Sequence, residues 1–263
     1  MSLSEAQVRE TLGKVVDPNT GKDFVSSRAV KNLKVAGDAV SLEIELGYPG
    51  RSQFEPIRRK VIDALKAAGR EVGSIQIQNR ATIGGNLCNA SPAADGVPPL
   101  LALEADVELV SAAASRRLPL SGFILGNRRT ALKSDEILST IIVPAQRVAG
   151  TAVSTFVKLG ARHYLVISIA MVAVNLVRGD DGRIGDAKIA VGSCSAVAQR
   201  LHGLESELLG KPAAAGLGRM VEARHLSALS PIDDVRASGV YRRDAALSLV
   251  RRAIETCVTG AGQ

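Results

Sequence analysis

Tryptophan is absent from this sequence, and aromatic residues of all kinds make up only 3% of its 263 residues. Cores must therefore be assembled from Ala, Val, Leu and Ile. Cysteine is nearly absent too: Cys88, Cys194 and Cys257 stand far apart and odd in number, with no C-x-x-C among them. That spacing offers no disulfide framework and no iron–sulfur or zinc site, and it fits a reduced, cytoplasmic setting. The opening "MSLSEAQVRE" has no basic segment followed by an apolar core, so no secretory signal is expected. No apolar run reaches the roughly 20 residues of a spanning helix. The longest, "YLVISIAMVAVNLV" at 164–177, carries Asn175, and its alternation suggests a buried strand.

What is present is the composition of a folded chain, 46% hydrophobic and 22% charged, with a mean hydropathy of +0.14. The formal charge is +7 and the pI about 9.6, a balance that suits polyanions in general. Yet Lys and Arg are scattered among acids in short pairs such as Arg58-Arg59, Arg128-Arg129 and Arg242-Arg243, with no aromatic residues interleaved. Nucleic acid is therefore not expected as a partner. An anionic cofactor or an acidic partner subunit suits the charge.

Residues 4–16 read as a helix with Val8, Leu12, Val15 and Val16 on one face. "DPNTGKD" at 17–23 is turn chemistry. "VKNLKV" at 30–35 and "VSLEIEL" at 40–46 alternate around Gly37-Asp38, which predicts a hairpin. Residues 53–69 place Phe54, Ile57, Val61, Ile62 and Leu65 on one helical stripe closed by Gly69. After about residue 72 the texture changes. "VGSIQIQNR" predicts a strand, "PPLLALEADVELVSA" a buried helical turn and a strand, and "EILSTIIVP" a strand ended by Pro144. Beyond 150, "STFVKLG", the apolar run, a "GDDGRIG" turn and "DAKIAVGSCS" predict a sheet, followed by helical stretches at 198–209 and 244–257.

The densest signal is "NRATIGGNLCNASPAAD" at 79–95. Gly84 and Gly85 lack a Cβ, so amides there can approach and converge on an anion such as a diphosphate. Thr82 offers a hydroxyl to the same anion, Asn86 and Asn89 can hold the loop or reach ligand hydroxyls, and Asp95 can accept from a sugar-type hydroxyl. A Gly-Gly hairpin turn capped by Asn is the plainer alternative.

Taken whole, "ATIGGNLCNASPAADGVPPLLALEADVELVS" resembles the second flavin-binding motif of the FAD subunit of molybdenum hydroxylases, the medium subunits of carbon-monoxide-dehydrogenase-type enzymes and the flavin domain of xanthine dehydrogenases. The likeness continues through "LPLSGFILGNRRTALKSDEILSTIIVP", "TFVKLGARHYLVISIAMVAVNLV" and "IAVGSCSAVAQRLHGLESELLGK" to "YRRDAALSLVRRA", covering roughly residues 74–260. The resemblance implies that Thr82, Ile83, Gly84, Gly85 and Asn86 line the FAD diphosphate, and that Asp95 bonds FAD hydroxyls. It also implies that the backbone near Leu138 lies against the cofactor and that Lys158 approaches the flavin. Arg162 and Tyr164 fall where the family often places residues near the ring, or are a strand-end cation and a half-buried aromatic. "YRR" at 241–243 reads as structural, with Tyr241 packing and Arg242 pairing with an acid. His163, His202 and His225 are not grouped, so no metal ligand is expected, and no residue is assigned acid–base catalysis.

Residues 1–73 differ. They hold no adjacent glycine pair, whereas the flavin domain of that family normally opens with a first glycine-rich loop. "VRETLGKVVDPNTGKDFVSSRAVKNLKVAGDAVSLEIELGYP" instead resembles the small N-terminal domain of Mrp-type iron–sulfur carrier ATPases, without the cysteine that many relatives carry after Tyr-Pro. "GLESELLGKP" has the wrong spacing for a phosphate loop. A join near 70–74 is expected. If the first loop made about three charge-assisted bonds at roughly 1.5 kcal/mol each, its lack costs about 4.5 kcal/mol. That is on the order of a thousandfold in affinity.

The expected class is α+β: a helix–hairpin–helix module over 1–72, a partial PCMH-type FAD-binding domain over 73–148, and a C-terminal α+β domain over 149–263 with an antiparallel sheet and helices. The resemblance implies an FAD-dependent oxidoreductase subunit. It would pass electrons from iron–sulfur clusters on a small partner subunit, fed by a molybdenum cofactor on a large one, to NAD or another acceptor. A non-enzymatic scaffold or iron–sulfur assembly protein without flavin is the other reading.

Overall fold

Alternating apolar and polar residues around a Gly-Asp turn do close a hairpin. Strands β1 (Val30–Ala36) and β2 (Ala39–Ile44) pair antiparallel, with Val30 opposite Ile44 and Ala36 opposite Ala39. The computed structural model describes residues 9, 25–26, 28, 30–36, 39–44, 80–145, 150–162 and 166–260. Of the helix expected at 4–16 only Arg9 is described, and it is helical; the helix expected at 53–69 lies outside the described residues. So does the strand expected at 72–80, except for Arg80, which is helical. The chain divides into two units, Met1–Pro56, which holds the hairpin, and Ile57–Gln263.

In the second unit, helix α1 (Ile83–Asn89) and helix α2 (Val97–Ala102) precede a three-stranded antiparallel sheet. Its strands β3 (Asp106–Val110), β4 (Ser115–Pro119) and β7 (Ile137–Ile142) lie in the order β4-β3-β7. Between β4 and β7 come the short helix α3 (Leu120–Phe123) and a small hairpin of β5 (Ile124–Gly126) and β6 (Arg129–Thr130). A second antiparallel sheet follows, ordered β11-β10-β9-β8: β8 (Thr151–Leu159), β9 (Ala170–Arg178), β10 (Ile184–Gly192) and β11 (Gln199–Arg200). Helix α4 (His202–Leu208), two single-turn 3₁₀ segments (Leu217–Met220 and Ala223–Leu226) and the long helix α5 (Gly239–Thr259) complete the unit.

The apolar run is the centre of this arrangement. Both faces of β9 are covered, so its residues are buried from Ala170 to Val177, and alternation gives way to continuous hydrophobicity. Ala170, Val172, Val174 and Leu176 enter one core with Leu204 and Leu208 of α4 and Ala246, Val250 and Ile254 of α5. Ala173, with Ala190 of β10, enters a second core with Leu100 of α2, Phe123 and Leu109. Alanine at both positions lets α2 lie close on that face of the sheet. Helix α2 is buried throughout and starts with prolines in its first turn, where a missing amide costs nothing.

Helix α5 outruns the expected 244–257 because its ends are capped. The Tyr241 amide donates to the Ser238 side chain, and Gly260 takes the left-handed conformation (φ 71°) that ends it. Its buried residues Ala246, Leu249, Val250, Ala253, Ile254 and Cys257 keep the spacing of one helical face. Among the described residues, no helix is long and apolar enough to cross a membrane.

Burial sorts the three thiols. Cys88 is exposed and the other two are buried. Burial pushes Cys194 up to about 11 and Cys257 up to about 12. Iodoacetamide at pH 8 should alkylate Cys88 alone in the folded protein, and all three only in denaturant, as counted by mass spectrometry. A raised folded-state value means that the native state holds its protons longer. The stability these thiols contribute is therefore complete below pH 9, the ordinary thiol value, and is lost as pH rises towards 11–12. Modification of all three thiols without denaturant would contradict this burial.

Candidate functional site

The glycine motif forms neither a hairpin turn nor a bare loop. Thr82 is extended (φ −115°, ψ 154°) and caps α1: the Gly85 amide donates to its Oγ1 at 2.9 Å. The Asn86 amide donates to the Thr82 carbonyl at 3.0 Å, closing the first helical turn. This corrects the expectation that amides from both glycines converge on a ligand, because that of Gly85 is already taken. The first amides of a helix have no carbonyl one turn back, so those of Ile83 and Gly84 are left without an intrahelical partner. They mark the positive end of the helix.

The glycines earn their places by contact. A Cβ on Gly85 would stand 3.0 Å from Thr82 Oγ1, tight against the cap, and one on Gly84 would reach to 3.5 Å from Leu138 Cδ2. Leu138 of β7 therefore lies directly over Gly84, which joins two of the expected site residues. Ile83, Thr82 and Gly85 are exposed, so this end of α1 opens to solvent. Asn86 holds structure: the Gly96 amide donates to its Oδ1 at 3.1 Å, which ties α1 to the loop carrying Asp95. Asn89 likewise accepts from the Arg128 guanidinium.

Asp95 is only 7% exposed. Its Oδ2 receives Lys158 Nζ at 2.9 Å and its Oδ1 receives the Ser168 hydroxyl at 3.0 Å. Lys158, on β8, is buried to the same degree. The structure thus brings Asp95 and Lys158, for which the family resemblance implies separate contacts to FAD, together as a buried ion pair. Ser168 went unread. Its one signal was a hydroxyl inside an apolar run, next to the strand that brings it to Asp95.

Arg162 is among the described residues and Tyr164 and His163 are not. Arg242 pairs with an acid as expected: its Nη2 donates to Asp234 Oδ1 at 2.6 Å, and its Nη1 donates to the carbonyls of Ile169 and Ser193. Tyr241 does not pack; it is 52% exposed at the start of α5, on the side turned away from the core that buries Arg242. His225 is buried in a structural role, its Nδ1 accepting the Glu222 amide at 2.9 Å and its Nε2 facing Glu207. Among the described residues, no group of three or more His, Cys, Asp or Glu side chains could hold a metal ion.

The donors match part of a dinucleotide. Two amides without a partner among the described residues, at a helix's positive end, suit a diphosphate. The Asp95–Lys158 pair, neutral as a whole, suits polar groups rather than a net charge. An antiparallel α+β unit with this anion-ready helix start suits the binding of a nucleotide cofactor.

Comparison with known proteins gives the same class. Residues 22–146 match the FAD binding domain in molybdopterin dehydrogenase, and residues 155–257 match the CO dehydrogenase flavoprotein C-terminal domain. The first match runs through the join expected at 70–74. The medium subunit of nicotine 6-hydroxylase from Paenarthrobacter nicotinovorans is 31% identical over 76% of this chain and 68% of its own length. The beta subunit of caffeine dehydrogenase from Pseudomonas sp. strain CBB1 is 32% identical over 78% of this chain and 68% of its own. A chain of the carbon monoxide dehydrogenase structure from Hydrogenophaga pseudoflava superposes with a TM-score of 0.69 at 26% identity, covering 86% of this chain and 77% of that one. The chain belongs to the family of FAD-binding medium subunits of molybdenum hydroxylases, oxidoreductases of the carbon monoxide dehydrogenase and xanthine dehydrogenase type.

Proposed function

We propose that this chain holds FAD as the electron-exit subunit of a three-part molybdenum hydroxylase in the cytoplasm. A large partner with a molybdenum cofactor oxidises the substrate, and a small partner with iron–sulfur clusters relays electrons here. NAD or another acceptor then removes them. The bound FAD supplies the redox chemistry; the protein supplies position and charge. The amides of Ile83 and Gly84 bind the diphosphate, and the Thr82 hydroxyl, which accepts from Gly85, keeps its own proton to donate. Gly85, by lacking a Cβ, leaves that cap undisturbed. Asn86 fixes the loop that presents Asp95 to ligand hydroxyls, and Leu138 covers Gly84 and shields one side from water. Lys158, held by Asp95, would offer an ammonium donor on the flavin side.

In this reading residues 73–148 are a partial flavin domain and 149–263 its C-terminal companion. Residues 1–72 are a small module similar to that of Mrp-type carriers, and it holds the hairpin at 30–44. The observation that carries the proposal is the pair of amides, those of Ile83 and Gly84, without a partner among the described residues at the exposed end of α1. The test is the visible spectrum of the purified protein before and after incubation with FAD, with co-purification against a molybdenum-containing large subunit. A yellow protein with saturable FAD binding is expected. A colourless chain that FAD cannot reconstitute, alone or with its partners, would sink the proposal.

A further inference from the structure

A second cleft, of about 540 Å³, opens in the second unit, at the meeting of the loop after α1, the β5–β6 turn, the segment before β9, the turn after β10 and the stretch that runs into α5. Thr82, Gly84, Gly85 and Lys158 do not line it, whereas Ser168, which donates to Asp95, does. Its charged lining is Arg236, Arg242 and Asp234, two guanidiniums against one carboxylate. Both guanidiniums already share that carboxylate: Arg242 Nη2 donates to Asp234 Oδ1 at 2.6 Å and Arg236 Nη1 to Oδ2 at 2.9 Å. The amides of Arg236 and Ala237 also donate to Asp234, and with both guanidiniums they hold its carboxyl well below the ordinary range. The cleft therefore keeps one uncompensated positive charge.

Two lining side chains carry donors that the fold leaves unused. Ser193 is 9% exposed and Arg242 is 3% exposed; among the described residues, neither Ser193 Oγ nor Arg242 Nε has a hydrogen-bond partner. Buried polar atoms normally find partners, so two such orphans lining one cleft point to a group that the chain does not itself supply. Ser193 also holds the left-handed conformation (φ 63°), which a residue with a Cβ adopts only at a cost. The remaining walls are largely apolar, with Pro92, Ala93, Ile167, Ala196 and Ile232 among them.

We propose that this cleft binds a small organic oxyanion, a carboxylate or phosphate monoester on a compact apolar body. The anionic head takes a proton from the Ser193 hydroxyl as a hydrogen bond and answers the excess guanidinium charge. The apolar body lies between Pro92, Ile167 and Ile232.

The test is a titration of the purified full chain with benzoate, followed by ligand-observed NMR, which reads the same whether the protein is yellow or colourless. Its failure is thus distinguishable from failure of the flavin assignment. Saturable benzoate binding is expected, with neutral benzamide and inorganic phosphate each at least about tenfold weaker, one lacking the charge and the other the apolar body. Ser193→Ala should weaken benzoate by about tenfold while leaving thermal stability equal or higher, because it removes an unsatisfied buried hydroxyl. Arg236→Gln, at an exposed position, should weaken benzoate without unfolding the protein. Equal binding of benzoate and benzamide, no binding of either, or unchanged benzoate affinity in Ser193→Ala and Arg236→Gln would each overturn the proposal.

Discussion

Gly85→Asp should yield a protein that folds as well as the parent and holds about a thousandfold less FAD. The carboxylate would stand in the first turn of α1, next to the amides of Ile83 and Gly84. Two unit charges about 4 Å apart repel by about 4 kcal/mol at an effective dielectric near 20, which is about three orders of magnitude in affinity. Folding barely notices. The new Cβ lies 3.0 Å from Thr82 Oγ1, so the cap must give by a few tenths of an ångström. Against that, an acid in the first turn gains about 0.3–1 kcal/mol from the helix dipole, and replacing a helical glycine recovers a similar amount. Flavin retained through gel filtration, set beside the circular-dichroism melt, separates the two effects. A Gly85→Asp protein as yellow as its parent would move the diphosphate away from α1.

The largest loss of stability is expected from Arg242→Ala. The guanidinium is buried and holds three acceptors from separate parts of the chain: the Ile169 carbonyl at the start of β9, the Ser193 carbonyl after β10, and Asp234 before α5. Removing it leaves two carbonyls and a carboxylate short of a donor. Breaking such a buried charged cluster costs about 3–5 kcal/mol, a large share of the about 5–15 kcal/mol that holds a typical domain folded. Arg242→Lys keeps the charge but not the planar fork, so it should restore only part of the loss. The neighbouring Arg243 is exposed and makes one bond to the Leu229 carbonyl. Arg243→Ala should therefore cost about 1 kcal/mol or less. Urea unfolding of the three variants checks the order, and equal midpoints for Arg242→Ala and Arg243→Ala would refute it.

Much of the architecture could be read from local pattern. The hairpin at 30–44 showed itself as period-two alternation around a Gly-Asp turn, and β9 as an apolar run too short to span a bilayer. The extent of α5 could not be read to the residue, since its start depends on Ser238 meeting the Tyr241 amide. The glycine motif was recognised as a place, yet its geometry was misjudged. A threonine three residues before a glycine can offer its hydroxyl to a ligand or accept the glycine amide as a helix cap, and both readings use the same letters. Tyr241 was expected to pack because it adjoins a buried arginine; on a helix, adjacent residues point in different directions.

By itself the sequence determined the hairpin at 30–44, the buried strand β9, the spacing of the glycine motif and the family to which they belong, because turn chemistry and periodicity act between near neighbours. Only the tertiary structure decided which polar groups are spent and which remain free. Lys158 reaches Asp95 across 63 positions and Ser168 across 73, and the cleft beside Ser193 draws on five separate segments. Such pairings arise when sheet and helix close on one another, and an electrostatic contact between distant segments leaves no periodic trace in the chain that forms it.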